Sequence, residues 1–375
     1  MTSVRSVLIV GGGTAGCALA VLLGRAGVSV EIVERKPDFT TYGAGITLRG
    51  AALRVLREVG VWDELRADGA AFNALGMRSV DGRLLAEIPD TRTGGPDLPA
   101  TLGADRPHLA KVLATAAVEA GAKVRLGATV TSFTDDDTGV SVTLSDGDAG
   151  HYDLLVGADG VRSRTRSQLG IDDVPQPVGM GIWRLHARRP AEVVRTDLVY
   201  DGPSYIAGYC PTGPDTIYAY LVEGARADVS QEPADKVAAM RALAESYHGP
   251  WDEIRADMTD GDRINYTQFE TLLVEGPWHR GRAVLIGDAV HACPPTVALG
   301  AAMALEDASV LAELLLSRDR LDSDLLDAYR ARRMPRVLAV VESSMQLVRW
   351  LLERNRDADV PGLMGRINAL VSEPA

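Results

Sequence analysis

A glycine-rich segment near the start of the chain constrains the fold more than any other part of the sequence. Residues 7–10 form a short, fully apolar run, which predicts a strand buried on both faces. Gly11, Gly13 and Gly16 follow with GxGxxG spacing and open a helix-forming run. A second apolar run at residues 28–33 completes a strand–helix–strand unit of about 30 residues. The segment therefore predicts an α/β fold that begins with parallel strands.

The three glycines of this segment point to a phosphate-containing ligand. Gly11 permits a tight turn, Gly13 lets a pyrophosphate approach the backbone, and Gly16 lets the helix pack closely on the strand. The start of the helix adds free N–H groups and the positive end of its dipole. Glu34, at the end of the second strand, can accept hydrogen bonds from ribose hydroxyls. The segment predicts dinucleotide binding, and the alternative is a glycine-rich packing turn.

Two aspartates follow later buried strands. Residues 152–156 lead to Asp159, and residues 282–286 lead to Asp288. Ligands of open parallel sheets bind at the carboxyl ends of the strands. We therefore expect both aspartates at the same edge of the sheet as the glycine turn. The glycine motif alone does not distinguish NAD from FAD, and the addition of these two motifs favours FAD.

In this order and spacing, the motifs resemble those of the flavoprotein aromatic hydroxylases, the group of para-hydroxybenzoate hydroxylase and salicylate hydroxylase. Asp159-Gly160 matches the DG motif of that family, which serves both FAD and NAD(P)H. Gly287-Asp288 matches its GD motif, whose acid bonds the ribityl chain of the flavin. Residues 43–48, Arg106 and residues 306–308 also match. The resemblance covers nearly the whole chain.

The resemblance implies FAD as the bound cofactor, NADH or NADPH as the co-substrate, and O2 with a small aromatic molecule as the other reactants. With only one GxGxxG in the sequence, the nicotinamide cofactor is expected to bind transiently at the FAD domain. We expect a monomer or a homodimer. The residues implied to bind FAD are Gly11, Gly13, Thr14, Ala15, Gly16, Glu34, Arg35, Thr47, Arg106, Val130, Asp159, Asp288, Pro295, Gly300 and Ala301.

The resemblance also implies a three-layer α/β FAD-binding domain of the glutathione-reductase type. This domain would comprise residues 1–75, 105–174 and 267–322. The strand-like, turn-rich segments 76–104 and 175–266 predict an inserted, mostly antiparallel substrate sheet. Residues 323–375 predict C-terminal helices, with a break at Pro335, because proline lacks the N–H that an interior helix position needs.

One segment departs from the family. The family has Gly-Gln-Gly near the flavin ring, where this chain has Ala298-Leu299-Gly300. Alanine narrows the backbone freedom that glycine provides, and leucine removes a polar side chain. The backbone N–H groups after Leu299 remain available to the flavin at a helix N-terminus.

The chemistry implied by the resemblance is hydroxylation of a phenolic or other electron-rich ring through a flavin C4a-hydroperoxide. The protein must then orient the ring, exclude water and increase the electron density of the ring, for which a cation or a hydrogen-bonding tyrosine is suited. Arg184 and Tyr218 are the candidates by their position on the predicted substrate sheet, with Tyr205 and Tyr220 as runners-up. The alternative for each is a strand-edge arginine or a half-buried tyrosine.

Composition and charge exclude several classes of partner. A net charge of −12 and a pI near 5.1 argue against nucleic acid as the main partner, although residues 161–166 are locally basic. The sequence has no apolar run of about 18 residues, so no membrane-spanning helix is expected. Three widely spaced cysteines argue against a disulfide framework and favour the cytoplasm. His291 and Cys293 lack further ligands nearby in sequence, so no metal site is expected.

Three rival functions stay open at this point. The first is a related flavin reductase or halogenase, although the tryptophan-rich halogenase signature is absent from the sequence. The second is a non-catalytic flavin-binding protein that shelters an unstable intermediate, which the altered segment Ala298-Leu299-Gly300 would favour. The third is a dehydrogenase that uses NAD alone, which a yellow colour of the purified protein would exclude.

Overall fold

The structure is a computed structural model that describes residues 2–39 and 43–375. In chain order the strands are β1 (Ser6–Val10), β2 (Ser29–Glu34), β3 (Gly45–Arg49), β4 (Ala70–Phe72), β5 (Ala74–Arg78), β6 (Leu84–Pro89), β7 (Thr101–Asp105), β8 (Lys123–Leu126), β9 (Val130–Asp135), β10 (Val140–Leu144), β11 (Ala149–Tyr152), β12 (Leu154–Gly157), β13 (Gln176–Arg188), β14 (Asp197–Val199), β15 (Ile206–Pro211), β16 (Thr216–Gly224), β17 (Ile264–Leu273), β18 (His279–Arg280), β19 (Ala283–Leu285) and β20 (His291–Ala292). The helices are α1 (Thr14–Arg25), α2 (Gly50–Glu58), α3 (Trp62–Asp68), α4 (Arg106–Glu119), α5 (Arg164–Gln168), α6 (Pro233–Ala244), α7 (Pro250–Asp257), α8 (Gly300–Ser317), α9 (Ser323–Leu352) and α10 (Val360–Ser372).

A six-stranded sheet with the order β18-β19-β12-β1-β2-β8 forms the centre of the molecule. All its pairs are parallel except that of β18 with β19. The strands β1 and β12 are fully apolar along most of their length and fully buried there, because both faces of a parallel sheet are covered. Their carboxyl ends carry the predicted motifs.

Helices and a second sheet cover the two faces. Helix α1 packs against α4 and α8, and the antiparallel sheet β11-β10-β9 supplies the third layer. The acidic turn at residues 136–139 connects β9 to β10 as an antiparallel hairpin. The predicted three-layer α/β domain is therefore confirmed.

The predicted substrate sheet is present and has eight strands in the order β20-β17-β13-β16-β15-β14-β5-β6. It is antiparallel apart from the pair of β14 with β5. One face packs against α6 and α7 through an apolar cluster that includes Trp183, Leu221 and Trp251. Strands from 76–104 and 175–266 both contribute, but β7 belongs to a separate sheet, β3-β7-β4. The proposed domain boundaries stay a proposal.

The C-terminal segment is helical, but the predicted break at Pro335 is wrong. Helix α9 continues through Pro335 to Leu352. A proline removes only one backbone hydrogen bond, and the buried side chains of Arg333 and Arg336 anchor the helix on both sides of it. Among the described residues, no helix is long and apolar enough to cross a membrane.

Candidate active site

The glycine turn has the geometry that a bound phosphate requires. Gly11 has a φ of 109°, in the left-handed region that favours glycine. A Cβ atom on Gly16 would lie 2.1 Å from the carbonyl oxygen of Gly11, so only glycine allows helix α1 to pack this closely. A Cβ atom on Gly13 would meet nothing within 4 Å. The backbone at Gly13 therefore faces open space, where a pyrophosphate fits.

The first turn of α1 is open to an anion. Its N-cap residue, Gly13, provides no side-chain hydrogen bond, and the first turn has no acidic residue. Glu34 accepts hydrogen bonds from the backbone N–H groups of Gly12 and Lys36, each at 2.9 Å. Each carboxylate oxygen has a second lone pair, so Glu34 can also accept a ribose hydroxyl. The backbone N–H of Ala128 donates to the carbonyl of Glu34, which brings the nearby Val130 to the same end of the sheet.

The carboxylate of Asp159 is hydrogen-bonded to the residues that follow it in its own turn. Its carboxylate accepts hydrogen bonds from the Ser163 hydroxyl at 2.5 Å, from the Arg164 N–H at 2.8 Å, and from the N–H and hydroxyl of Thr165. These bonds cap the start of helix α5. The next residue, Gly160, has a φ of 80°, and a Cβ atom there would meet nothing within 4 Å. The open surface of this turn is therefore backbone, and a direct bond from Asp159 to FAD stays a prediction.

Arg166 connects the two aspartate loops, a role that the sequence did not reveal. Its guanidinium donates to the carbonyl of Val161, beside Asp159, and to the carbonyl of Ala289, beside Asp288. A third bond reaches the carbonyl of Asp173. Arg166 is buried, and burial lowers the pKa of its guanidinium. The basic run 161–166 is thus partly internal, because one of its arginines holds loops that are distant in sequence.

Asp288 follows β19 of the central sheet and precedes β20 of the eight-stranded sheet, so its loop lies where the two sheets meet, a region hereafter called the cleft. Its side chain is accessible to solvent. The protein atoms that surround it nevertheless reduce its hydration and raise the pKa of its carboxyl, against the opposing charges of His291 and Arg106. Across residues 2–39 and 43–375, no hydrogen bond to this carboxylate is found. The Asp288 carboxylate lies near Arg106, the first residue of helix α4. It is available to the hydroxyls of a ribityl chain. The observed surroundings therefore fit FAD.

The departing segment has an unusual backbone. Ala298 has φ 53° and ψ 38°, the left-handed conformation that glycine adopts most easily. Leu299 is completely buried in the main core. Helix α8 then begins at Gly300 without a side-chain cap or an acidic residue in its first turn, so its N–H groups are free for a ligand. Cys293 is close to the start of helix α8: a Cβ atom on Gly300 would be 3.9 Å from its Sγ.

The predicted catalytic pair is brought into contact. Arg184 and Tyr218 lie on the face of the eight-stranded sheet opposite to α6 and α7, and Nε of Arg184 donates to the Tyr218 hydroxyl at 3.1 Å. A second guanidinium nitrogen donates a hydrogen bond to the hydroxyl of Thr267. The ring of Tyr220 lies 5.0 Å from that of Tyr218. Thr267 was missed by sequence reasoning, since a threonine in a strand has no distinctive signal.

The side-chain hydrogen-bond partners of Arg184 are neutral hydroxyls. Among the described residues, its guanidinium forms no ion pair with a carboxylate. Burial raises the pKa of Tyr220 well above its usual range, so its hydroxyl stays protonated at neutral pH. The other runner-up, Tyr205, packs on an apolar cluster that Tyr220 also contacts, and it lies beneath the guanidinium of Arg354. The part of the cleft beside the substrate sheet thus combines the guanidinium of Arg184 with phenolic hydroxyls.

The remaining predicted positions lie around this cleft in different ways. Thr47 is on β3, where it pairs with Gly103 of β7. Val130 is buried and could meet a ligand only through its backbone. The described residues contain no group of three or more side chains placed to hold a metal ion. The other predicted FAD-binding residues lie at the starts or ends of elements: Thr14 and Ala15 begin α1, Arg35 follows β2, Pro295 begins the short turn 295–297, and Ala301 is in the first turn of α8.

Comparison with known proteins agrees with this geometry. A family described as FAD binding domain matches residues 5–344, and the chain belongs to this family, that of the FAD-dependent aromatic hydroxylases. Aurachin C monooxygenase/isomerase of Stigmatella aurantiaca is 31% identical over 91% of this chain and 88% of its own length. The 6-hydroxynicotinate 3-monooxygenase of Bordetella bronchiseptica is 30% identical over 89% and 90%. The protein is therefore an FAD-dependent monooxygenase of aromatic substrates.

Solved structures show the same fold. A single-residue variant of Klebsiella pneumoniae HpxO, complexed with FAD, superposes with a TM-score of 0.82 at 20% identity. The match covers 99% of both chains. Because the identity is low, this likeness supports the architecture alone.

Proposed function

We propose that the protein uses NADH or NADPH and O2 to hydroxylate a phenolic or similarly electron-rich ring that carries an anionic group. The observation that carries this proposal is the Arg184–Tyr218 hydrogen bond on the cleft face of the sheet. When bound and reduced, FAD supplies the oxygen activation, for which the C4a-hydroperoxide route is our expectation. The protein residues position the ring and control its charge.

The neutral partners of Arg184 favour an anionic substrate. A half-buried guanidinium whose observed partners are neutral hydroxyls has lost hydration without gaining a counterion. A carboxylate or phenolate on the substrate would supply the missing negative charge. Arginine also offers the planar set of donors that a carboxylate matches. This interpretation agrees with the name of the Bordetella relative, whose substrate is 6-hydroxynicotinate.

Tyr218 is proposed to act on the ring oxygen. Its hydroxyl oxygen already accepts a hydrogen bond from Arg184, so its own hydrogen is free to be donated to a phenolate. The nearby charge of Arg184 favours the ionised phenol, and ionisation increases the electron density of the ring. The apolar and aromatic surroundings, which include Tyr220, exclude water from the reacting carbon.

The test is a screen of phenols and hydroxylated aromatic acids for stimulation of NADH and NADPH oxidation, with the product mass as the second readout. We expect at least one aromatic acid to stimulate oxidation and to gain one oxygen atom. Tyr218→Phe should lower the yield of hydroxylated product, whereas Tyr205→Phe, a matched change outside the pair, should not. Nicotinamide oxidation that no ring compound alters would contradict the proposal.

A further inference from the structure

A cluster of buried charges lies behind the Asp288 turn. Asp307 on helix α8 is fully buried, and its Oδ2 accepts the backbone N–H of Gly287 at 2.8 Å. The same oxygen lies 2.6 Å from Nε2 of His291. The other oxygen, Oδ1, accepts from Nε of Arg333 at 2.7 Å. One carboxylate thus joins helix α9 to both ends of the loop that carries Asp288.

The turn at Gly287, which carries Asp288, is closely packed between two helices. Gly287 has a φ of 61°, and a Cβ atom there would lie 3.3 Å from the Cβ atoms of Ala15 and Ala304. The turn therefore fits between helices α1 and α8, which restricts its possible positions. The Asp288 carboxylate has no hydrogen bond within the described residues, so the backbone of residue 288 alone determines where the carboxylate lies. The bond from Gly287 to Asp307 holds this backbone on the side that precedes Asp288, and the bond from Arg166 to the carbonyl of Ala289 holds it on the side that follows.

The neighbours of Asp307 keep its carboxyl group ionised. Burial alone would raise the pKa of its carboxyl, but the charges of His291 and Arg333 and their hydrogen bonds outweigh burial and lower the pKa to about 2. The carboxylate is therefore ionised at neutral pH and accepts charge-assisted hydrogen bonds, which are about twice as strong as neutral ones. Glu306, its neighbour, pairs with Arg333 and Arg336 instead.

We propose that Asp307 is a positioning residue for the cofactor: by holding Gly287 and His291, it fixes the carboxylate of Asp288 in the cleft. The inference rests on the assignment of Asp288 as an FAD ligand. An asparagine at 307 has a single acceptor oxygen, so it cannot accept from Gly287 on one side and Arg333 on the other. Loss of either bond would let the turn shift relative to the flavin site.

The test compares Asp307→Asn with Glu306→Gln, which removes an adjacent buried carboxylate from the same cluster without touching the Asp288 turn. The dissociation constant of FAD is measured by titrating apoprotein and following flavin fluorescence, with the flavin absorption spectrum and the thermal midpoint as further readouts. Both variants should lower the midpoint, because each leaves a buried arginine short of a partner. Only Asp307→Asn should raise the dissociation constant, by roughly tenfold, and shift the spectrum.

Equal FAD affinities in the two variants would overturn the inference and reduce the cluster to a structural role. Asp288→Ala separates this outcome from a wrong site assignment: if it leaves FAD affinity unchanged, then Asp288 is not an FAD ligand. If Asp307→Asn does not fold, His291→Gln is measured instead, since it removes the second attachment of the loop. It should weaken FAD binding in the same direction, and unchanged affinity in a folded His291→Gln protein would likewise contradict the inference.

Discussion

The backbone of Gly45 packs directly against Tyr218: a Cβ atom on residue 45 would lie 2.6 Å from the Cβ atom of Tyr218 and 2.7 Å from Cγ2 of Thr212. A similar contact occurs at Gly103, where a Cβ atom would lie 1.9 Å from the carbonyl oxygen of Pro211. The small sheet beside the cofactor region and the substrate sheet therefore meet at two glycines. The position of Tyr218 depends on the size of residue 45.

Gly45→Ala should displace Tyr218 and weaken its bond with Arg184. We expect a loss of about 1–3 kcal/mol in the free energy of unfolding, as for other overpacked sites, together with reduced substrate-stimulated NAD(P)H oxidation. Gly224→Ala is the control, because a Cβ atom on Gly224, at the end of strand β16, meets nothing within 4 Å. Urea denaturation and product analysis measure both effects. Wild-type turnover in Gly45→Ala would contradict the expected dependence.

Arg184→Met should lower kcat/KM for an aromatic acid by about 10- to 100-fold, because a charge-assisted hydrogen bond is worth about 1.5–3 kcal/mol. The loss should be smaller for a neutral phenol, which offers no charge to the guanidinium. Arg184→Lys keeps the charge but loses the planar donor set, so intermediate values are expected. Steady-state kinetics on the paired substrates provide the measurement, and equal losses on both would argue against an anionic substrate.

Ala298→Gly should stabilise the protein. Alanine in the left-handed conformation costs about 1 kcal/mol relative to glycine. Glycine also increases the entropy of the unfolded chain, which offsets part of the gain in stability. We expect a net gain of up to about 1 kcal/mol in the free energy of unfolding, measured on the apoprotein by urea denaturation. Ala301→Gly, in the first turn of helix α8, should instead destabilise the protein, because glycine relieves no unfavourable conformation there and increases the entropy of the unfolded chain. A destabilised Ala298→Gly protein would show that the alanine side chain contributes more than its conformation costs.

The contribution of Asp307 to stability should depend on pH in a specific direction. Its pKa of about 2 in the folded protein lies below the unfolded value of about 3.9. The carboxylate therefore contributes stability, about 2–3 kcal/mol, that is complete above about pH 5 and decreases as the pH falls towards about 2. The difference in unfolding free energy between wild type and Asp307→Asn should narrow by about 1 kcal/mol from about pH 7 to about pH 3. A constant difference would contradict the lowered pKa.

Cys293 should react slowly with iodoacetamide and report on cofactor binding. Burial raises the pKa of its thiol to about 11, so only about 0.1% is thiolate at about pH 8. Its alkylation rate in the apoprotein should rise about tenfold per pH unit between about pH 8 and 10, and added FAD should slow the reaction. Cys210, which is completely buried, serves as the unreactive control in peptide mass mapping. Alkylation of Cys293 that FAD does not slow would place the thiol away from the cofactor.

The parts of the site that the sequence could predict are those with a local signal. The glycine turn has a fixed spacing and a fixed backbone conformation, so its geometry at Gly11, Gly13 and Gly16 agrees with its motif. The internal roles of Arg166 and Asp307 depend on partners far along the chain, and no local pattern encodes them. The predicted break at Pro335 was wrong for the same reason, since packing on both sides of a helix outweighs the intrinsic effect of one proline.

Strand β19 has a consequence for biosynthesis. Val284 of β19 pairs with Val156 of β12, so one edge of the central parallel sheet stays unpaired until a late part of the chain has left the ribosome. An unpaired apolar strand is a site for aggregation, and pairings between distant segments form slowly. Production of the enzyme should therefore benefit from slow translation at low temperature, which gives the nascent chain time to acquire its last parallel strand.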